Sequence, residues 1–175
     1  MNILPLSPQA LDQALEILKK GGVVAHATET CYGLACDLTN PKAVEKLFAI
    51  KQRPPDQPVS ALFPSIEEAK NYVEWNEEAE KLARKFLPGP LTLILPLRSD
   101  APLRIFPTQL STFHFQLSTS LGIRISSHPI AWALAERFGK PLSTTSANIH
   151  GQPNPYSAGD IVSQFRAAAM QPNIL

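Results

Sequence analysis

Two cations, Lys51 and Arg53, stand two residues apart just ahead of Pro54 and Pro55. They close a segment with helical spacing, where positive charge complements the negative end of a helix dipole. As plain solvated charges they need no further role; as site residues, their replacement by Ala is expected to abolish the chemistry and barely change the melting temperature. If the prolines hold the turn, both cations instead face one anion. Arg offers phosphate oxygens a planar fork, and Lys offers a point charge. Further on, Ser143-Thr144-Thr145-Ser146-Ala147-Asn148 places five hydroxyl or amide side chains at a strand exit. Such residues commonly bond their own backbone in turns. They also suit a phosphate or a ribose, together with main-chain N–H groups. Neither Gly-x-x-x-x-Gly-Lys nor Gly-x-Gly-x-x-Gly occurs, so no P-loop or dinucleotide motif is present.

Two more segments carry reactive types. In Ala27-Thr28-Glu29-Thr30-Cys31-Tyr32-Gly33-Leu34, Glu29 is a candidate base and the threonines are candidate substrate holders. A structured turn accounts for the same residues equally well. In Gly122-Ile123-Arg124-Ile125 a cation sits among apolar strand residues and needs a partner. A ligand carboxylate and an internal acid are both open to it. His26, His114, His128 and His150 show no paired metal-ligand spacing, and no metal is expected on protein side chains. Cys31 and Cys36 are too few for a disulfide framework or a four-ligand zinc site, and read as reduced thiols. Trp75 and Trp132 read as packing residues.

The elements that position these segments alternate in type. Ser7-Pro8 opens a helix with Leu11, Leu15 and Leu18 on one face, stopped by Gly21-Gly22. Val23 to Ala25 is a strand, and His26 to Asn40 is irregular. Pro41 starts a second helix, with Val44, Leu47 and Phe48 inward, which the two prolines end. Val59 to Phe63 is a strand. Ser65 with Glu68 reads as a capping box for a short helix, and Asn76 caps another. Leu91 to Leu97 and Leu121 to Ile125 are strands. Residues 98–120 lack a period, although Phe113 and Phe115 alternate as in a strand. Pro129 to Phe138 is a helix ended by Gly139, and Pro141 to Thr145 is a strand. Ser157 caps a last helix to Phe165, and residues 166–175 read as a tail. This alternation predicts one α/β domain, 1–175, with its core at about 10–165 and helices packed on a twisted sheet. Ligands in such folds gather at loops that leave strands.

Composition narrows the function class. With 16 Lys and Arg against 15 Asp and Glu, no global basic excess points to a nucleic-acid or membrane-surface binder. No apolar run approaches the roughly 20 residues of a membrane span. The N-terminus lacks the charged and apolar regions of a signal peptide, so no membrane association and a cytoplasmic location are expected. The 17 prolines fall at element edges and act as punctuation.

Taken in order, five stretches resemble the YrdC-like family of threonylcarbamoyl-AMP synthases, in its short, single-domain bacterial form. They are Ala27-Thr-Glu-Thr-Cys-Tyr-Gly-Leu34, Ile50-Lys-Gln-Arg-Pro54, Leu87-Pro-Gly-Pro-Leu-Thr-Leu93, Gly122-Ile-Arg124 with His128-Pro129, and Thr145-Ser-Ala-Asn148 with Gly151. Each is weak alone, but their order and spacing over residues 10–165 are specific. The resemblance implies a twisted mixed sheet with a concave basic groove. It implies that L-threonine, bicarbonate and ATP, with Mg²⁺ accompanying the ATP, give threonylcarbamoyl-AMP and pyrophosphate. Partner proteins then carry the group to the adenine beside the anticodon of certain tRNAs.

By the same resemblance, Lys51 and Arg53 are catalytic. Arg53, Gln57, Ser120, Ser146 and Asn154 match ATP contacts, and Asn148 completes the Lys-x-Arg…Ser-x-Asn set. Thr30, Arg124 and Thr144 match positions around threonine, with Arg124 on its carboxylate. The sequence departs from the family at Ala27, where Pro is usual, at Ala35, where Gly is usual, and at His150. Leu62 stands where many members have His. A non-catalytic double-stranded RNA or tRNA-binding module on the same fold is the alternative reading. A carbamoyl-transfer domain of hydrogenase maturation is a third, but nothing here corresponds to the acylphosphatase and zinc-binding parts of those proteins.

Overall fold

Helix starts are set by capping side chains. A computed structural model of the chain describes residues 7–54, 59–101 and 119–174. Ser7 Oγ accepts from Ala10 N ahead of α1 (Pro8–Lys19), and Asn40 Oδ1 accepts from Lys42 N and Ala43 N ahead of α2 (Pro41–Lys51). Ser65 caps α3 (Ile66–Lys70) and Asn76 caps α4 (Glu77–Phe86). At Ser65 only the serine half of the expected box forms, because Glu68 Oε2 takes a bond from Asn71 Nδ2 instead. The reciprocal box forms at Ser157 and Asp160, ahead of α6 (Ala158–Phe165). His128 caps α5 (Pro129–Phe138), and Gly139 ends it in the left-handed region at φ 71°.

Among the described residues seven strands form one sheet: β1 (Val24–His26), β2 (Gly33–Ala35), β3 (Ser60–Leu62), β4 (Thr92–Pro96), β5 (Ser120–Arg124), β6 (Leu142–Ser146) and β7 (Asn173–Ile174). Their spatial order is β4-β5-β3-β6-β2-β1-β7. The pairs β1–β7 and β3–β5 are parallel and the other four antiparallel, so the sheet is mixed. Two expectations fail. The segment 26–40 contains β2, whose Gly-Leu-Ala is too short to show a period. The final ten residues contain β7, which adds a parallel edge beside β1. The Phe113–Phe115 alternation lies outside the described residues.

Two apolar clusters cover the two faces of the sheet. Leu34, Ala61 and Ile123 face the larger one with α2, α3, α4 and α6; Val24, Ala35, Leu62 and Leu142 face the smaller with α1 and α5. Leu62 is therefore a core residue at 1% exposure. Side chains alternate along strands, so His26, Thr144, Ser146 and Arg124 all lie on the α1/α5 side. Trp75 packs on the larger cluster and donates to Glu80 Oε2 at 2.9 Å. Trp132 does not pack as expected: it stands on the outer side of α5 and is 47% exposed. Among the described residues no helix is long and apolar enough to cross a membrane.

Candidate active site

The turn that carries Lys51 and Arg53 is made at Gln52. Gln52 takes a left-handed conformation, φ 51°, and Arg53 N reaches back to Phe48 O at 3.1 Å. This is a Schellman closure, with a non-glycine residue at the position that costs about 1 kcal/mol. It sends the two cations in different directions. Lys51 is buried, 3% exposed, so it is neither a solvated charge nor the exposed site residue whose removal was expected to spare stability. Its Nζ donates to Ser146 O at 2.5 Å, and to Asn148 O and Asn148 Oδ1 at 3.1 Å each. Ser146 Oγ also donates to Asn148 Oδ1, at 2.7 Å, and His150 N closes the join by donating to Lys51 O. Lys51 thus ties the end of α2 to the exit loop of β6. Burial, with the nearby charge of Arg53, lowers its pKa to about 8.

Arg53 is half-buried. Its Nη1 donates to Thr145 Oγ1 at 3.5 Å, and its guanidinium lies 6.0 Å from the centre of the Phe48 ring. Burial lowers its pKa as well.

Across the site, the loop after β1 folds onto β5. Arg124 Nη2 donates to Glu29 Oε1 at 2.5 Å and to Thr30 Oγ1 at 3.5 Å. Ser126 Oγ donates to the other carboxylate oxygen of Glu29. The alternative of an internal acid is therefore the one realised in this structure. Burial acts to raise the Glu29 pKa, but the bonds from Ser126 and Arg124 and the Arg124 charge outweigh it and hold the carboxyl below its usual value. A group so held is a poor base at neutral pH.

Between these regions lies a cavity of about 150 Å³. Its walls include Thr30, Arg124, Thr144 and Ser146 from the sequence reading, together with Thr28, Cys31, Gly33, Thr92, Ser126 and Thr145. That volume falls below the roughly 300–1,000 Å³ of sites for drug-sized ligands. It suits a small amino acid and is too small to enclose a nucleotide. Asn148 is buried behind the wall, while Asn154 is exposed on the loop after β6. Ser120 begins β5, four residues before Arg124, and does not line the cavity. Gln57 lies outside the described residues. Ser126 and Thr92 line the cavity without a role expected from the sequence, although each lies within or beside a matched stretch. Thr92 is the polar residue in an otherwise apolar strand, and that was the available signal.

Residues 16–171 match the family model Sua5_yciO_yrdC, described as telomere recombination. The chain belongs to the Sua5/YciO/YrdC family. Among members of that family, it is 33% identical over 158 residues to the threonylcarbamoyl-AMP synthase of Photobacterium profundum, covering 89% of this chain and 80% of that one. It is 37% identical over 158 residues to the synthase of Vibrio cholerae, covering 89% and 79%. A crystal structure of P. abyssi Sua5 complexed with L-threonine superposes with a TM-score of 0.82 at 32% identity, over 99% of this chain. This chain spans about half of that Sua5 protein, 49% of its length.

Proposed function

We propose that the chain is a threonylcarbamoyl-AMP synthase. It joins L-threonine and bicarbonate as a carbamate with loss of water, and the carbamate then takes the adenylyl group of ATP and releases pyrophosphate. The observation that carries this reading is the cavity: Thr30, Arg124 and Thr144 meet in one amino-acid-sized space, with Ser146 at its edge and Arg53 beside Thr145. The synthase names of family relatives at 33–37% identity support it.

The chemistry follows from charge. A carbamate oxygen attacks the α-phosphorus of ATP, so an anion approaches an anion. The site must offset that repulsion and align the pair. Arg124 holds the threonine carboxylate, with Thr30 and Thr144 on the remaining polar groups. Arg53 takes phosphate oxygens, together with Ser146; by the family resemblance, Gln57, Ser120 and Asn154 add further ATP contacts. Lys51 acts through the β6 loop, holding Ser146 and Asn148 in place with all three of its protons. It is thus a positioning residue with a positive charge behind the phosphate site. Among the described residues no group of three or more metal-binding side chains offers a cage. Mg²⁺ enters with the Mg-ATP substrate, held by phosphate oxygens. The product is a reactive adenylate, consumed by transfer to tRNA with partner proteins in the cytoplasm.

The test is pyrophosphate release from ATP by folded protein. Release that needs both threonine and bicarbonate is expected. Release independent of either one, or none with or without partner proteins, would sink the reading.

A further inference from the structure

The site described above leaves one buried atom unexplained. Among the described residues, Nε2 of His26 is the buried side-chain polar atom with no hydrogen-bond partner. His26 ends β1 and is fully buried. Its Nδ1 lies 3.1 Å from Ala27 O. A carbonyl only accepts, so Nδ1 carries the proton and Nε2 is a bare acceptor. Burial keeps the ring neutral, lowering its pKa to about 4. Buried acceptors are nearly always paired, and an orphan calls for a partner.

Gly33 shows where that partner sits. It pairs with His26 across the β1–β2 ladder. A Cβ on Gly33 would lie 3.5 Å from His26 Nε2, from Thr145 O and from Thr28 Cγ2. Gly33, Thr145 and Thr28 all line the cavity. The space left by the missing Cβ therefore connects the cavity to Nε2. Two acceptors, Nε2 and Thr145 O, converge on it. Such a spot takes a group with protons to give. Arg124, on another wall of the same cavity, takes the opposite kind of group.

We propose that His26 is a positioning residue for the amino acid in the cavity, its Nε2 accepting a hydrogen bond over Gly33 from the ligand's ammonium or side-chain hydroxyl. The inference rests on reading the cavity as the threonine site.

Calorimetry of the full chain with L-threonine and with L-2-aminobutyrate, which lacks the hydroxyl, tests it. His26→Phe keeps a ring and removes the acceptor; about tenfold weaker threonine binding is expected. His26→Gln, with an amide oxygen as acceptor, should recover most of that loss. Gly33→Ala adds a Cβ at ordinary contact distance, so it should fold, fill the gap and weaken threonine binding to a similar extent. A penalty confined to threonine assigns the hydroxyl as donor, and a penalty with both ligands assigns the ammonium. In the unaltered protein, threonine should shift the imidazole Nε2 resonance in a ¹⁵N spectrum, whether or not the variants fold. Threonine binding by the unaltered chain with no such shift, or with unchanged affinity in folded His26→Phe, overturns the inference alone. No threonine binding by the unaltered chain overturns the reading of the cavity and the inference with it.

Discussion

The two sides of the cavity neutralise a cation in different ways. On one side, Arg124 meets a full opposite charge, Glu29, at 2.5 Å. On the other, Lys51 meets two backbone carbonyls and one amide oxygen. Carbonyl dipoles stabilise an ammonium without cancelling its charge, so Lys51 still projects a positive field; burial, and then the charge of Arg53, lower its pKa to about 8. The ion pair projects little net field, but it presents a donor fork that a second carboxylate can share. The difference matches two kinds of anion: a multiply charged phosphate needs field, and a carboxylate needs geometry.

Breaking the ion-pair side gives the largest expected effect. Arg124→Ala removes one partner of a mostly buried pair and leaves Glu29 uncompensated. Such truncations cost about 2–5 kcal/mol in binding. Threonine-dependent pyrophosphate release should fall by about 10²–10³-fold, through the KM for threonine, while ATP affinity measured calorimetrically stays within about twofold. An equal loss of ATP affinity would mean that the two sides do not divide the substrates. Breaking the dipole side is expected to act on stability. Lys51→Ala takes the donor from Ser146 O and Asn148 O, leaves Asn148 Oδ1 with Ser146 Oγ alone, and opens a void, at about 2–4 kcal/mol, so the melting temperature should drop by roughly 5–15 °C. Lys51→Arg should not rescue it, because a planar fork cannot address three converging oxygens. Arg53→Ala should cost under about 1 kcal/mol in stability and still abolish adenylate formation. If Lys51→Ala melts like the unaltered chain, the strut described here is wrong.

This split between Lys51 and Arg53 is where the sequence was least informative. Helix ends were legible because caps are local: Ser7, Asn40, Asn76 and Ser157 each bond a backbone N–H two or three residues on. Strands of apolar residues were legible for the same reason. The burial of Lys51 was not, because its acceptors lie 95 and 97 residues away. A helix-end cation gives no local sign of such partners. Glu29 and Arg124, 95 residues apart, posed the same problem. The sequence could say that Arg124 needed a partner, but not which. β2 and β7 were missed because three and two residues are too few for a period, and their pairing is set by neighbours in the sheet.

The dipole side also makes a pH prediction. In the folded chain Lys51 titrates near 8, against 10.5 in the unfolded chain. Between those values the unfolded state binds more protons, so stability contributed by this group rises with pH. It is fully present above about 10.5 and lost as pH falls to about 8. The shift corresponds to on the order of 3 kcal/mol. Denaturant midpoints of the unaltered chain and of Lys51→Met at pH 7.5 and pH 10.5 should differ in slope: the variant lacks this rise. Parallel pH dependence in the two would show that the ammonium is not held as described.

The smallest expected effect decides how the ion pair works. If Glu29 competes with a ligand carboxylate for Arg124, Glu29→Gln removes the competing charge and keeps the shape. Threonine should then bind a few-fold tighter, because the guanidinium no longer divides its charge between two carboxylates. If instead Glu29 orients Arg124, the same change lets the guanidinium drift, and threonine binds more weakly. Geometry favours competition. Ser126 already fixes the second oxygen of Glu29, and Thr30 provides Arg124 with another contact at 3.5 Å, so orientation does not depend on the Glu29 charge. Folding stability should move the other way, falling by about 1 kcal/mol, since a charge-assisted bond becomes a neutral one. Tighter threonine binding in a less stable protein would mark Glu29 as a stand-in for the substrate carboxylate. Weaker binding at unchanged stability would assign it to the support of Arg124.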